Sequence, residues 1–419
     1  MPLAMKTDDF YHDISERISV ASEKTPMSSA GKIKTSFTFR NTPALIKGGN
    51  TYFSTLYEMI DNAKQTIQLQ VYIFEEDETG NRVAAKLISA AQRKVQVQVL
   101  LDGYASRRLS TGFKNSMRES GIKLRFFEPI LKGGNYYFGR RLHHKIIVCD
   151  GIMSMVGGIN ISDRYNDIPG EPAWLDWAIK VDGEVSYELF KLCNLIFAKK
   201  PEDLVVLKKQ AIENAIDNNV HCPIRLRRND WVMGKNQISA SYLEMFRNAK
   251  NEIVIMSSYF IPSSFFRNNM IKALRKGVKI KLILAGISDV GIAKYAERYL
   301  YRWAVRHGIE VHEYRHNILH GKVAVCDGRF VTIGSYNIND ISALASIELN
   351  LDVEDPAFAS AVQQKLIEVV QKDCMRISPI SIIRTYKRSE RLLQWLSYET
   401  VRLLFNLFTF YFTKNKHAN

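Results

Sequence analysis

Only five of the 419 residues are cysteine, too few and too scattered for a disulfide framework. Cys149 and Cys326 end apolar runs just ahead of an Asp, where a small buried hydrophobe fits, and reduced thiols in a cytosolic compartment are expected. No stretch supplies the about 20 predominantly apolar residues that a membrane-spanning helix needs. The opening residues, MPLAMKTDDFYHDISERISV, carry acidic groups early and no apolar core, so neither a signal peptide nor an anchor is expected there. No Cys/His cluster of metal-ligand spacing is evident, and neither a metal nor a cofactor is expected. Acidic excess is also lacking. Lys and Arg number 58 against 43 Asp and Glu, a formal charge of +15, which points to an anionic partner, with nucleic acid and anionic lipid both candidates. Hydrophobic residues at 46% and charged residues at 24% exclude wholesale disorder, and the length suits about two domains.

What is present is repetition. HHKIIVCDGIMSMVGGIN, from His143 to Asn160, returns as HGKVAVCDGRFVTIGSYN, from His320 to Asn337. EMIDNAKQTIQLQVYIF (58–74) also lies over EMFRNAKNEIVIMSSYF (244–260) without a gap, so the chain is an internal duplication. Each half repeats one order: amphipathic helix, apolar strand, a second helix (80–93 and 264–276), and a Val/Ile/Leu strand, KVQVQVLLDG or VKIKLILAG. A further helix and a strand, IKLRFF or IEVHEY, lead to the motif. Strands alternating with helices predict α/β architecture: two tandem pseudo-symmetric domains with mixed or parallel sheets flanked by helices. The expected divisions are a loose arm over 1–40, domains over 41–200 and 223–376, a polar linker over 201–222, and an amphipathic helical tail over 377–419.

Within each motif an apolar strand, 146–149 or 323–326, meets Asp-Gly, which is predicted to turn the chain into a second strand. His and Lys stand two apart on extended backbone, so their side chains share a face. Imidazole acts as nucleophile or general acid near neutral pH, and ammonium and amide groups donate hydrogen bonds to phosphate oxygens without a metal. One site holding two His, two Lys and two Asn suits phosphodiester chemistry.

The pattern HxK, four residues, Asp, six residues, Gly-Gly or Gly-Ser, one residue, Asn resembles the signature of the phospholipase D superfamily, and both copies meet it in full. The resemblance extends over roughly residues 43–376, through LLDGYASRRLS, RRLHHKIIVCDG, GGINISDRY, SSYFIPS, GISDVGIAKYAERYLYRW and SIELNLDVED. It is closest to bacterial cardiolipin synthases of the type lacking N-terminal membrane helices. The resemblance implies that His143 is the nucleophile and His320 the acid and later base, or the reverse. It implies that Lys145, Lys322, Asn160 and Asn337 bind phosphate, with Ser335 and Gly158 as weaker contributors. Asp150 and Asp327 belong to the motif, yet a carboxylate beside phosphate repels it, so they are expected to pair with nearby cations. Asp176 and Glu348, 33 and 28 residues after their motif His, match the acidic position that orients the imidazoles.

The implied activity is phosphatidyl transfer that makes cardiolipin from phosphatidylglycerol and a second phospholipid, which phosphatidylethanolamine could also supply. The alternative is a hydrolase of phospholipids, or a nuclease, on the same scaffold. Phospholipids and an anionic membrane surface are the expected partners, nucleic acid is not, and oligomeric state stays open. The expected location is peripheral, on the cytoplasmic face of a bacterial cell membrane. Residues 376–419 hold eight Lys or Arg against two Glu. Leu403, Leu404, Leu407, Phe408 and Tyr411 share one helical face there, and Arg402, Asn406, Thr409 and Thr413 share the other, as in an interfacial helix. A second lipid-facing candidate is the loop 128–144, where Tyr136, Tyr137 and Phe138 adjoin Arg140 and Arg141.

Overall fold

Alternating apolar strands and amphipathic helices fold as the periodicity directs. The computed structural model describes residues 35–128, 131–132, 135–136, 140–230, 233–339, 346–379 and 388–416, with 131–132, 135–136 and 405–416 as backbone only. The first half runs β1 (Asn41–Lys47), α1 (Asn50–Asn62), β2 (Thr66–Val71), α2 (Glu78–Gln92), β3 (Gln96–Asp102), α3 (Thr111–Glu119), β4 (Lys123–Phe127), β5 (Lys145–Cys149), β6 (Met153–Gly157), β7 (Trp177–Gly183) and α4 (Glu184–Phe197). After α5 (Lys209–Ala215) the second half repeats the plan: β8 (Ile224–Asp230), α6 (Gln237–Asn248), β9 (Glu252–Ser257), α7 (Ser264–Arg275), β10 (Lys279–Ala285), α8 (Gly291–Arg306), β11 (Glu310–Tyr314), β12 (Lys322–Cys326), β13 (Phe330–Gly334) and β14 (Ser346–Glu354). α9 (Pro356–Asp373), β15 (Cys374–Ile377) and α10 (Arg388–Lys416) complete it.

The two sheets have the same wiring. Their orders are β1-β7-β6-β5-β2-β3-β4 and β8-β14-β13-β12-β9-β10-β11, the latter extended by β15. Helical crossovers make β2, β3 and β4 parallel, and likewise β9, β10 and β11. Tight turns make the motif hairpins antiparallel. Because β5 runs antiparallel to β2, and β12 to β9, each motif begins beside the C-terminal ends of three parallel strands. That is the edge where open α/β sheets bind ligands.

Side-chain alternation sorts each strand between two cores. Ile147 and Cys149 face an outer core with Phe53 and Leu56 of α1 and Leu87 of α2. Ile146 and Val148 face inward, into a core shared with Val323, Val325, Ile333 and Leu351 of the other sheet. The halves are therefore one packed body about a common interior.

Two sequence expectations change. Residues 201–222 read as a polar linker, yet Val205 and Leu207 of its extended part, and Ile212 and Ile216 of α5 and its end, are buried in the shared core and strap the linker down. The arm over 1–40 was expected to be loose, but Thr38 exchanges backbone hydrogen bonds with Ile224 at 2.8 and 2.9 Å, so its end joins β8. Residues 1–34 lie outside the described residues.

Candidate active site

The motif turns explain the invariant-looking Asp-Gly of both copies. Ile152 N–H donates to the Cys149 carbonyl at 3.1 Å, and Asp150 and Gly151 sit at φ 54° and 67°. Asp327 and Gly328 repeat this at φ 51° and 60°. Two central residues at positive φ make a type I′ turn, which Asp tolerates and Gly favours. The Asp150 carboxylate accepts backbone N–H bonds from Lys64, Gln65 and Thr66, each at 2.8 Å. Asp327 accepts those of Lys250, Asn251 and Glu252 at 2.8, 2.8 and 2.9 Å. These aspartates are structural, and their partners are amides at the start of β2 and β9 rather than the cations expected from sequence. Burial raises the Asp327 pKa, but the three amide donors outweigh it and hold the group below its ordinary range.

The residues ahead of each motif His reach across to the opposite half. Leu142 pairs with Ile347, and His143 N–H donates to the Ile347 carbonyl at 3.0 Å. Leu175 pairs with Leu319, and its carbonyl accepts from His320 N–H at 2.7 Å and Gly321 N–H at 3.0 Å. Each acidic residue follows immediately, so the carboxylates cross over. His143 Nδ1 lies 2.9 Å from Glu348 Oε2, and His320 Nδ1 lies 2.7 Å from Asp176 Oδ2. The sequence spacing attached each acid to the His of its own half; the backbone bridges exchange them. With Nδ1–H donated to a carboxylate, Nε2 is left for chemistry.

Gly158 and Ser335 occupy equivalent motif positions and serve these acids. A Cβ on Gly158 would stand 2.4 Å from Asp176 Oδ2, so glycine leaves room for the carboxylate. Ser335 donates to Glu348 Oε2 at 2.5 Å. Both were expected as weaker contributors at the phosphate; they lie against the acids.

Burial pushes the Lys145 pKa far down and Lys322 down to about 8. It raises Asp176 to about 7. The imidazoles also fall: His143 through burial, against the pull of Glu348, and His320 further, through burial and then Lys322, Lys145 and His143. The groups therefore lie within electrostatic reach of one another across the halves. An anion placed among them would favour the charged form of both lysines.

Lys322 donates to Ser258 Oγ at 3.1 Å and to the His320 carbonyl, and Ser258 donates to Asn337 Oδ1 at 2.7 Å. Lys145 donates to the His143 carbonyl at 2.9 Å and sits 5.0 Å from the Tyr72 ring centroid. Asn160 accepts from Ile73 N–H at 3.1 Å and donates to Tyr165 Oη at 2.9 Å. Tyr72 meets His143 edge-on at 4.8 Å, and Tyr165 meets His320 edge-on at 5.2 Å. Sequence reasoning missed Tyr72, Tyr165 and Ser258. The signal was available, since the alignment of 58–74 on 244–260 sets Tyr72 opposite Ser258 and so marks where the two halves differ.

Two other expectations resolve differently. Tyr137 and Phe138 lie outside the described residues, and Tyr136 is described as backbone only. Arg140 holds Asp230 through Nε at 3.0 Å and a second nitrogen, and Arg141 donates to the Glu128 carbonyl at 2.8 Å, so these cations brace the fold. His312, His316 and His320 do stand at HxxxH spacing, contrary to the expectation of no such clustering. They lie on strand and loop, with His312 3.4 Å from Glu310 and His320 on Asp176. Among the described residues no group of three metal-ligating side chains converges.

A family model described as cardiolipin synthase, PLD-like domain, matches residues 56–181 and 242–370. The chain belongs to this family. It is an enzyme, a phosphatidyltransferase of the phospholipase D superfamily. It is 35% identical over 337 residues to cardiolipin synthase B of Salmonella typhi, covering 80% of this chain and 81% of that one. It is 32% identical over 349 residues to cardiolipin synthase B of Escherichia coli K12, covering 82% and 84%. In fold it is similar to phosphatidylserine synthase of Haemophilus influenzae, with a TM-score of 0.69 at 15% identity over 89% of this chain and 96% of the other.

Proposed function

We propose that this enzyme makes cardiolipin by moving a phosphatidyl group from one phospholipid to the free hydroxyl of phosphatidylglycerol through a phosphohistidine intermediate. The reading rests on the crossed contacts of His143 with Glu348 and His320 with Asp176. His143, neutral through burial, attacks the donor phosphorus with Nε2. The phosphorus–oxygen bond to the leaving alcohol breaks, and His320 gives that oxygen a proton. The hydroxyl of phosphatidylglycerol then attacks phosphorus, His320 takes its proton, and the phosphorus–nitrogen bond breaks. Lys145, Lys322, Asn160 and Asn337 stabilise the charge on the phosphoryl oxygens.

Asp176 supports this division of labour. With its pKa near 7, the Asp176–His320 pair holds or releases one proton around neutrality, as a general acid must. Burial of His320, Lys145 and Lys322 keeps water from the intermediate, which favours an alcohol acceptor over hydrolysis. Among the described residues no helix is long and apolar enough to cross a membrane, and the enzyme works peripherally on the cytoplasmic face.

The test is to incubate purified protein with phosphatidylglycerol, with and without phosphatidylethanolamine, and resolve the lipids. Cardiolipin is expected. Phosphatidic acid alone would make it a hydrolase, and cleavage of oligonucleotide alone a nuclease. Trapping by rapid denaturation in detergent at neutral to mildly alkaline pH, with phosphate-labelled lipid, should put the label on His143, and a label on His320 in the wild type would reverse the roles.

A further inference from the structure

α10 packs along α8, with Tyr398 stacked on Tyr299 at 4.8 Å and its hydroxyl accepting from Arg267 of α7 at 3.0 Å. The face it turns inward is polar. Gln394 and Ser397 are 5% and 6% exposed, whereas Leu392, Trp395, Leu396 and Leu403 stand in solvent, Leu403 at 59%. A helix anchored by ordinary packing does the reverse. Gln394 Nε2 finds no hydrogen-bond partner among the described residues, so this burial is not what fixes the helix's composition.

In the loop before α8, the helix on which α10 packs, and in its first turn, Ile287, Val290 and Ile292 are exposed as well. The same loop carries Asp289, which accepts the Tyr259 hydroxyl and acts electrostatically on His320. The loop that carries these exposed residues thus reaches to within electrostatic range of His320. Arg302, Arg306 and Arg388 on the same two helices are exposed, and in sequence residues 376–419 carry eight Lys or Arg against two Glu. Exposed apolar residues and arginines on two packed helices, with a Trp among leucines, fit the interface of an anionic bilayer.

We propose that the outer face of α8 and α10, continued by Ile287, Val290 and Ile292, docks on an anionic phospholipid bilayer and sets the pocket mouth at headgroup depth. The proposal rests on the phospholipid reading of the site. In it the tail and the α8 loop form one platform, so lipid reaches His320 without leaving the membrane.

Flotation of the full-length protein with vesicles of phosphatidylglycerol and phosphatidylcholine tests this, against pure phosphatidylcholine. Two variants are compared with wild type: Leu392→Glu/Leu396→Glu/Leu403→Glu, and Val290→Glu/Ile292→Glu. Each is expected to lower partitioning at least about tenfold, since every lost apolar side chain removes buried area worth about that factor. The α10 variant should keep its turnover of short-chain phosphatidylglycerol dispersed below the micelle concentration within about twofold, which shows that it folds. Unchanged vesicle binding in either variant overturns the platform. So does unchanged binding with a dimer converted to a monomer, which would assign the face to a second copy. If even wild type fails to turn over short-chain lipid, the transferase reading falls, while the binding comparison still decides the docking.

Discussion

Asp176 Oδ2 and His320 Nδ1 lie 2.7 Å apart although 144 residues separate them, and they come from opposite halves of the chain. Glu348 and His143 mirror this at 2.9 Å. Asp176→Asn should keep the fold but lose the acceptor that fixes the imidazole. We expect kcat to fall about 10²- to 10⁴-fold, with KM little changed, and the pH profile near 7 to flatten. Steady-state assays across pH check this, and an unaltered profile would remove the positioning role.

Gly158→Ala places a methyl group where Asp176 Oδ2 now sits, 2.4 Å away. The carboxylate must retreat from His320, so activity should fall about 10²-fold or more, approaching the Asp176→Asn variant. Combining the two should cost little beyond either alone, as expected of groups acting as a unit. Additive losses in kcat would separate them.

Lys322 tests the trade between stability and function. Its ammonium is held down to about 8 by burial, from an unfolded value near 10.5. Below pH 8 both states carry the charge, so the fold bears a penalty of about 3 kcal/mol, and this vanishes as pH rises through 10.5. Lys322→Met should therefore abolish activity yet melt higher at pH 7, and the gain should shrink above pH 10. In the wild type, kcat/KM should decline above pH 8 as the ammonium is lost. Thermal melts and rate profiles check both signs.

Asp150→Ala removes three amide acceptor contacts and puts a β-carbon residue without a helpful side chain at φ 54°. A loss of about 3 kcal/mol is expected. Asn, which tolerates this conformation, should lose less. Urea melts give the stability, and turnover per folded molecule should stay near wild type, because the Asp150 carboxylate is taken up by the amides of residues 64–66.

Much of this was legible in the sequence because the controlling physics is local. Asp-Gly between two β-branched runs dictates the turn, and two-residue spacing places His143 and Lys145 on one face. The crossing of Asp176 and Glu348 was not legible. Spacings of 33 and 28 residues measure distance along the chain, whereas backbone pairing of Leu175 with Leu319 and Leu142 with Ile347 decides the partner. Periodicity likewise divided α10 into two faces without telling which would be covered: Arg402 of the one and Leu403 and Leu404 of the other are all exposed, and the helix packs through Gln394 and Ser397 instead. Tyr72 and Ser258 escaped notice because a search for likeness passes over the positions where two copies differ.

Those two backbone bridges make the catalytic groups a joint possession of the halves. A fragment bearing either motif alone would carry its histidine and its lysine, yet it would lack both the carboxylate that the other half supplies and the far side of the shared core. Turnover is thus a reporter of docking: any loosening of the shared interior extinguishes the chemistry before it unwinds a single strand, and two separately made halves should regain it only by finding each other.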